Sequence, residues 1–151
     1  MSAGAPKEGR PVRSLLFACN MNSVRSPMAE ALASRALGER VRVESCGVYE
    51  GILDPFAAEV LTEIGLAAPT RPPRDFASVR PEGFDLVVAL TPEAAAAARQ
   101  LGATVEFWDI ENPTETRGDR EDLLGAYRSV RDGLAARIRA RFGGADPATA
   151  A

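Results

Sequence analysis

Short apolar runs alternate with longer stretches of helical periodicity along this chain. Val12 to Ala18 is mostly apolar over the length of a strand, which predicts a buried strand. Met28 to Leu37 follows as a helix, with Pro27 in its first turn and Gly38 closing it. Val41 to Ser45 reads as a second strand, with Val41 and Val43 on one face. Asp54 is placed to cap a helix starting at Pro55. Its apolar stripe is Phe56, Val60, Leu61 and Ile64, and Gly65 ends it. A loop rich in proline and arginine then runs from Pro69 to Pro81. Phe84 to Leu90 is the clearest strand of the sequence. Thr91 caps a helix that starts at Pro92 and stops at Gly102, and Thr104 to Trp108 is a fourth strand. Glu121 to Phe142 is a long helix with Leu123, Tyr127, Val130, Leu134 and Ile138 at steps of three and four. Strands alternating with helices predict an α/β fold. Its form is a three-layer α/β/α sandwich on a four-stranded parallel sheet. In such sheets ligands bind beyond the carboxyl ends of the strands. Three loops are expected there, after Ala18, Leu90 and Trp108.

Length and charge narrow the function. The chain has 151 residues, the size of one domain. Residues 11–142 are expected to form it, with a flexible lead-in at 1–10 and a flexible tail at 143–151. The net charge of −3 gives no nucleic-acid footprint. Seven arginines between Arg117 and Arg141 are mixed with Asp119, Glu121, Asp122 and Asp132, the pattern of a solvated helix face. No apolar run reaches the length of a membrane span, and Met1 to Arg10 lacks the apolar core of a signal peptide. Two cysteines, Cys19 and Cys46, with no mark of secretion, point to free thiols in a reducing, cytoplasmic setting. The chain has no histidine, which excludes nucleophiles activated by imidazole. Two soft ligands argue against zinc, and no metal or cofactor is called for.

One segment carries chemistry. Cys19-Asn20-Met21-Asn22-Ser23-Val24-Arg25-Ser26 lies between the first strand and the first helix. A loop of this length entering a helix can wrap its backbone amides around a tetrahedral oxyanion. Arg25 can offer a bidentate fork to two oxygens of that anion. Cys19 sits at the base, where the helix N-terminus and the guanidinium favour an anionic, nucleophilic sulfur. The Ser26 hydroxyl can donate to that sulfur. Asn22 tolerates the positive φ that a tight anion loop needs, since no glycine lies between Cys19 and Arg25. Cys46, in a small-residue slot beside Gly47, reads as structural.

Cys-x-x-Asn-x-x-Arg-Ser-Pro-Met-Ala-Glu, from Cys19 to Glu30, resembles the signature of the low-molecular-weight protein tyrosine phosphatase family, whose fold the related arsenate reductases share. Glu44 to Gly47 is similar to the family's Ser-Ala-Gly segment. Phe84 to Leu90 is similar to its Asp-containing third core strand, and Phe107 to Pro113 to its general-acid loop. The resemblance covers roughly residues 12–140. It implies a phosphotyrosine phosphatase I-like fold and a phosphomonoester hydrolase that forms a cysteinyl-phosphate. Cys19 would be the nucleophile, and Asn20, Met21, Asn22, Ser23, Val24, Arg25 and Ser26 the phosphate-binding loop. The implied partner is a phosphorylated protein, a small phosphomonoester, or a phosphate or arsenate oxyanion.

Four departures keep alternatives open. The family's acid is an aspartate before proline, and here that position is Asn112, which cannot donate a proton in this way. Asp109 or Glu111 takes the role, or the first step relies on a good leaving group, or the protein only binds anions. Thr114 and Glu115 stand where tyrosine phosphatases often carry aromatic residues, and Tyr49 is a candidate substrate wall in their place. Val24 occupies the position of the family's protective second cysteine. Thioredoxin-linked arsenate reductases need more cysteines near the third strand, and this chain has none beyond Cys46. Arsenate reduction would then need an external thiol.

Overall fold

The computed structural model describes residues 11–143. The expected lead-in at 1–10 and tail at 143–151 fall outside the described residues, save for Gly143. The described residues form one sheet of four strands: β1 (Ser14–Cys19), β2 (Arg42–Gly47), β3 (Leu86–Ala89) and β4 (Val105–Phe107). Their spatial order is β2-β1-β3-β4, and every neighbouring pair is parallel. The helices are α1 (Arg25–Leu37), α2 (Pro55–Thr62), α3 (Phe76–Val79), α4 (Pro92–Gln100) and α5 (Arg120–Phe142).

Alternation along β1 splits the core into two halves. Leu15, Phe17 and Cys19 belong to the half built with α1, α2 and α5. Leu16 and Ala18 belong to the half built with Cys46, Phe76 and the alanines of α4. This is the three-layer α/β/α sandwich predicted from the sequence. The central strand β1 is extended on one side by β2 and on the other by β3. The chain thus reverses its direction of growth at the carboxyl end of β1, where sheets of this kind bind ligands. That end is Cys19.

The element ends show which local signals acted. Asp54 caps α2 by accepting from the Phe56 amide at 2.8 Å, and Thr91 caps α4 by accepting from the Ala94 amide at 3.1 Å. Helix α5 starts at Arg120 rather than Glu121, because Asp119 and Asp122 form a reciprocal capping box. Its buried stripe runs through Leu124, with Leu123 only half-buried. Helix α1 starts at Arg25 rather than Met28, so Ser26 and Pro27 lie in its first turn. The proline-rich loop contains the short helix α3, which no periodicity announced.

The arginines of α5 are less solvated than their pattern suggested. Arg131 is buried and donates to the Val60 carbonyl and to Glu63 at 2.9 Å each. Arg120 and Arg128 pair with Glu59 and Glu63. These contacts form a seam between α2 and α5. Among the described residues, no helix is long and apolar enough to cross a membrane.

Candidate active site

The loop from β1 to α1 has most of its carbonyls taken by donors outside it, while its amides stay unpaired. Asn22 takes the left-handed conformation, with φ of 52°. The carbonyls of Cys19, Asn20 and Ser23 accept from the amides of Val48, Tyr49 and Asp54, at 2.9, 2.8 and 3.0 Å. The Val24 carbonyl accepts from Met28 within α1. Among the described residues, no protein acceptor takes the amides of Asn20 to Arg25. Helix α1 also has no side-chain cap and no acidic residue in its first turn. A ring of unpaired donors at an uncapped helix N-terminus is a nest for an anion.

Cys19 is only 2% exposed and lies at the floor of this nest. Its Sγ is 3.0 Å from the Ser26 Oγ. Ser26 accepts from the Asn22 Nδ2 at 2.9 Å and donates to the Cys46 carbonyl at 3.0 Å. Its hydroxyl can swing between that carbonyl and an anionic sulfur. The Arg25 Nη1 donates to the Ile110 carbonyl at 3.0 Å. This bond ties the arginine to the loop after β4.

The side chains of the loop are held from outside it. Asn20 Oδ1 accepts from the Thr91 hydroxyl at 2.6 Å. Asn22 is buried and fully partnered. It donates to Ser26 and to Ser45, the latter at 3.1 Å, and accepts from the Arg74 amide at 3.0 Å. Behind it, Ser45 donates to Glu30 at 2.6 Å, and Glu30 is ion-paired with Arg71. Arg74 pairs with Glu44 at 2.7 Å. Among the described residues, no buried side-chain polar atom lacks a partner. Sequence reasoning missed Thr91, Ser45, Glu30, Arg71, Arg74 and Asp54 as supports. The proline-arginine loop was the one visible hint, and nothing in it said where Arg71 and Arg74 point.

The remaining sequence candidates are at the rim. Asp109 and Glu111 are both exposed and flank Ile110, whose carbonyl holds Arg25. Asn112 has a structural task. Its Oδ1 accepts from the Thr114 amide at 3.1 Å and hydroxyl at 2.7 Å, capping the turn Pro113–Glu115. Tyr49 is 64% exposed, and its own amide grips the Asn20 carbonyl. Met21 and Ile52 are exposed too, and Gly51 packs against Met21, so this loop lies along the nest. Among the described residues, no group of three or more acidic, cysteine or histidine side chains is arranged as metal ligands.

Both cysteines are unpaired, and they are not poised to bond. Cys46 aligns with Ala18, while Cys19 aligns with Gly47. Alternation therefore sends the two sulfurs to opposite faces of the sheet, into different halves of the core. Cβ vectors that diverge cannot be bridged without backbone movement. Burial, then the neighbouring Cys19, pushes the Cys46 thiol far above the ordinary thiol range. It remains a neutral, inert group.

Known proteins share this fold. The YwlE arginine phosphatase, in a form with a phosphorylated active-site serine, superposes with a TM-score of 0.69 at 29% identity, covering 83% of this chain and 91% of that one. An arsenate reductase from Archaeoglobus fulgidus gives 0.68 at 30% identity, covering 85% and 98%. A low molecular weight protein tyrosine phosphatase from T. tengcongensis gives 0.70 at 25% identity, covering 83% and 95%. In sequence, an arsenate reductase of Bacillus subtilis is 30% identical over 127 residues, 83% of this chain and 91% of the relative. The model of the family described as low molecular weight phosphotyrosine protein phosphatase matches residues 14–143. The chain belongs to that family of enzymes, whose named members include both phosphatases and arsenate reductases.

Proposed function

We propose that this protein is a phosphomonoester hydrolase of the protein tyrosine phosphatase type that works through a cysteinyl-phosphate on Cys19. The observation that carries the reading is the run of unpaired amides from Asn20 to Arg25, which starts at the buried Cys19 and ends at Arg25, itself tied to the loop after β4. Such donors match the three equatorial oxygens of a transferring phosphoryl group, and preorganised donors of this kind dominate phosphoryl-transfer catalysis. Cys19 Sγ attacks phosphorus, so the S–P bond forms and the bond to the leaving oxygen breaks. The leaving oxygen takes a proton from Asp109 or Glu111, whose loop is tied to Arg25, or departs unprotonated when it is a good leaving group. Water then attacks phosphorus, the S–P bond breaks, and inorganic phosphate leaves. Ser26 donates to the sulfur each time it is anionic. Tyr49, with Met21 and Ile52, forms the wall against which the rest of the substrate lies. The unpaired thiols fit a reducing, cytoplasmic setting.

A second reading, arsenate reduction, is favoured by the names of the curated relatives. It requires a thiol to resolve the oxidised nucleophile. Cys46 on the far face of the sheet argues for an external thiol, such as glutathione or thioredoxin, and against an internal cascade. The reading of the chain as an anion binder without turnover rests on Asn112 alone.

One set of assays separates the three. Wild type and Cys19→Ser are given para-nitrophenyl phosphate, a phosphotyrosine peptide and a phosphoarginine peptide, the last because of the arginine phosphatase neighbour. Arsenate with reduced glutathione or thioredoxin is run alongside. Turnover of a phosphorylated substrate that Cys19→Ser abolishes is the expected result. Full activity in that variant, or thiol consumption with arsenate and no phosphate release from any substrate, would overturn the proposal. Asp109→Asn and Glu111→Gln, measured separately, identify the acid. Loss of a working acid lowers kcat by about 10²–10⁴.

A further inference from the structure

We infer that Tyr127, on helix α5, is a positioning residue for the anion loop and acts on it through Asp54. The inference rests on reading Cys19 to Arg25 as an anion site.

Ser23 sits in the middle of the loop, and its carbonyl is turned outward by the Asp54 amide at 3.0 Å. Nothing else among the described residues holds that carbonyl. The orientation of the Asp54 peptide therefore decides whether Ser23 presents a donor or an acceptor to the nest. Asp54 is fixed by both of its carboxylate oxygens. Oδ1 accepts from the Phe56 amide at 2.8 Å, and Oδ2 accepts from the Tyr127 hydroxyl at 2.7 Å. Tyr127 is only 3% exposed, and its ring packs on Phe56 at 5.4 Å between centroids. Burial, then the bond to Asp54, pushes the phenol well above the ordinary tyrosine range. It stays a neutral donor wherever the enzyme is folded.

Without the Tyr127 hydroxyl, Oδ2 turns to water and Asp54 keeps only its ties to α2, through the Phe56 and Ala58 amides, so the peptide that holds the Ser23 carbonyl is less firmly aimed. The Ser23 carbonyl can then swing inward, where its partial negative charge meets the oxyanion. The consequence is weaker anion binding, beyond any loss of fold stability.

Tyr127→Phe removes the hydroxyl and keeps the ring on Phe56. Asp54→Ser keeps a cap for α2 but is too short to reach Tyr127. Both variants and their combination are assayed at 25 °C, with folding checked by melting. The readouts are protection of Cys19 from iodoacetamide by inorganic phosphate, and kcat and KM for para-nitrophenyl phosphate. Cys46, buried and neutral, does not compete for the reagent. The expected result is a roughly 5- to 10-fold weaker phosphate protection in each single variant, the scale of one ordinary hydrogen bond. The double variant should be no weaker than the weaker single, because both cut one bond. A lowered melting temperature with phosphate protection within 2-fold of wild type would show a merely structural tyrosine and overturn the inference. If either single variant fails to fold, the other decides the question in the same way. Absence of phosphate protection in wild type defeats the anion-site reading and this inference together. Protection that responds to Tyr127→Phe, in a protein that hydrolyses nothing, defeats the phosphatase reading and leaves the inference standing.

Discussion

Gly47→Ala tests the claim that the anion loop is held at a fixed height above β2. Gly47 ends that strand directly beneath the loop. A Cβ added there would lie 2.6 Å from the Asn22 amide nitrogen, 2.7 Å from the Tyr49 carbonyl oxygen and 2.8 Å from the Asn20 carbonyl oxygen. All three neighbours are backbone, so no side chain can rotate away. Ordinary contact begins near 3.4 Å, which means that the loop must retreat by 0.6 to 0.8 Å. The backbone of Gly47 does not have a positive φ, so the alanine itself is not strained and the effect is purely one of space. The loop cannot retreat freely. Asn20 is tied to Tyr49 and Thr91, and Asn22 to Ser26, Ser45 and Arg74. Overpacking of this kind costs about 1–3 kcal/mol of stability, or roughly 2–4 °C of melting temperature for each kcal/mol in a chain of this size. Misplacing a reacting group by about 1 Å costs on the order of 10²-fold in rate, so kcat/KM for para-nitrophenyl phosphate should fall about 30- to 100-fold. Gly125→Ala is the control. Its Cβ meets nothing within 4 Å, and a helix-interior alanine adds stability. A Gly47→Ala enzyme with kcat/KM within threefold of wild type would refute the picture of a rigid, supported nest.

Two further outcomes follow from single side chains. Arg128 first, then Arg131, holds the Glu63 carboxyl down from an ordinary 4.5 to about 2, so its stabilising effect is whole above about pH 5 and fades as pH falls toward 2. The melting-temperature gap between wild type and Glu63→Gln should be widest near neutrality and close by about pH 2; an equal gap at both ends would refute the assignment. Asn112→Asp keeps the bonds from Thr114 and places a carboxyl before Pro113. It should raise turnover of phenyl phosphate, a poor leaving group, by about tenfold or more, with little change for the nitrophenyl ester. Unchanged rates on both would show that residue 112 does not face the leaving oxygen.

The candidate anion loop was legible in the sequence because its residues are contiguous. Cys19, Asn22, Arg25 and Ser26 fall within eight residues, and it is the longer string in its place between an apolar run and a helix, not the spacing of Cys19 and Arg25 alone, that points to an anion loop. The caps Asp54 and Thr91 were legible for the same reason, since each acts within three residues of itself. Phase errors such as Leu123 for Leu124 arose where two leucines are adjacent and either fits a step of three or four. The supporting residues left no local trace. Thr91 meets Asn20 across 71 positions, Arg74 meets Asn22 across 52, and Tyr127 meets Asp54 across 73. Those pairings are products of sheet order and helix packing, which periodicity does not reveal.

The distribution of supports explains how a loop without glycine can serve as an anion nest. A left-handed residue costs roughly 1–2 kcal/mol, and asparagine is among the few that take this conformation at all. Asn22 makes three hydrogen bonds with its side chain, each contributing about 0.5–1.5 kcal/mol net. Together they offset the backbone cost. A glycine would carry less strain and would have no side chain to anchor. The remaining anchors come from different layers of the fold: α4 through Thr91, α2 through Asp54, and the loop after β4 through Ile110. Because the donors are aimed before any substrate arrives, little reorganisation is left for the reaction itself. The chain has no histidine to lend, so under the proposed function the stabilisation of the transferred group depends on that aim. A perturbation that leaves every loop residue in place but frees one carbonyl should therefore damage the chemistry.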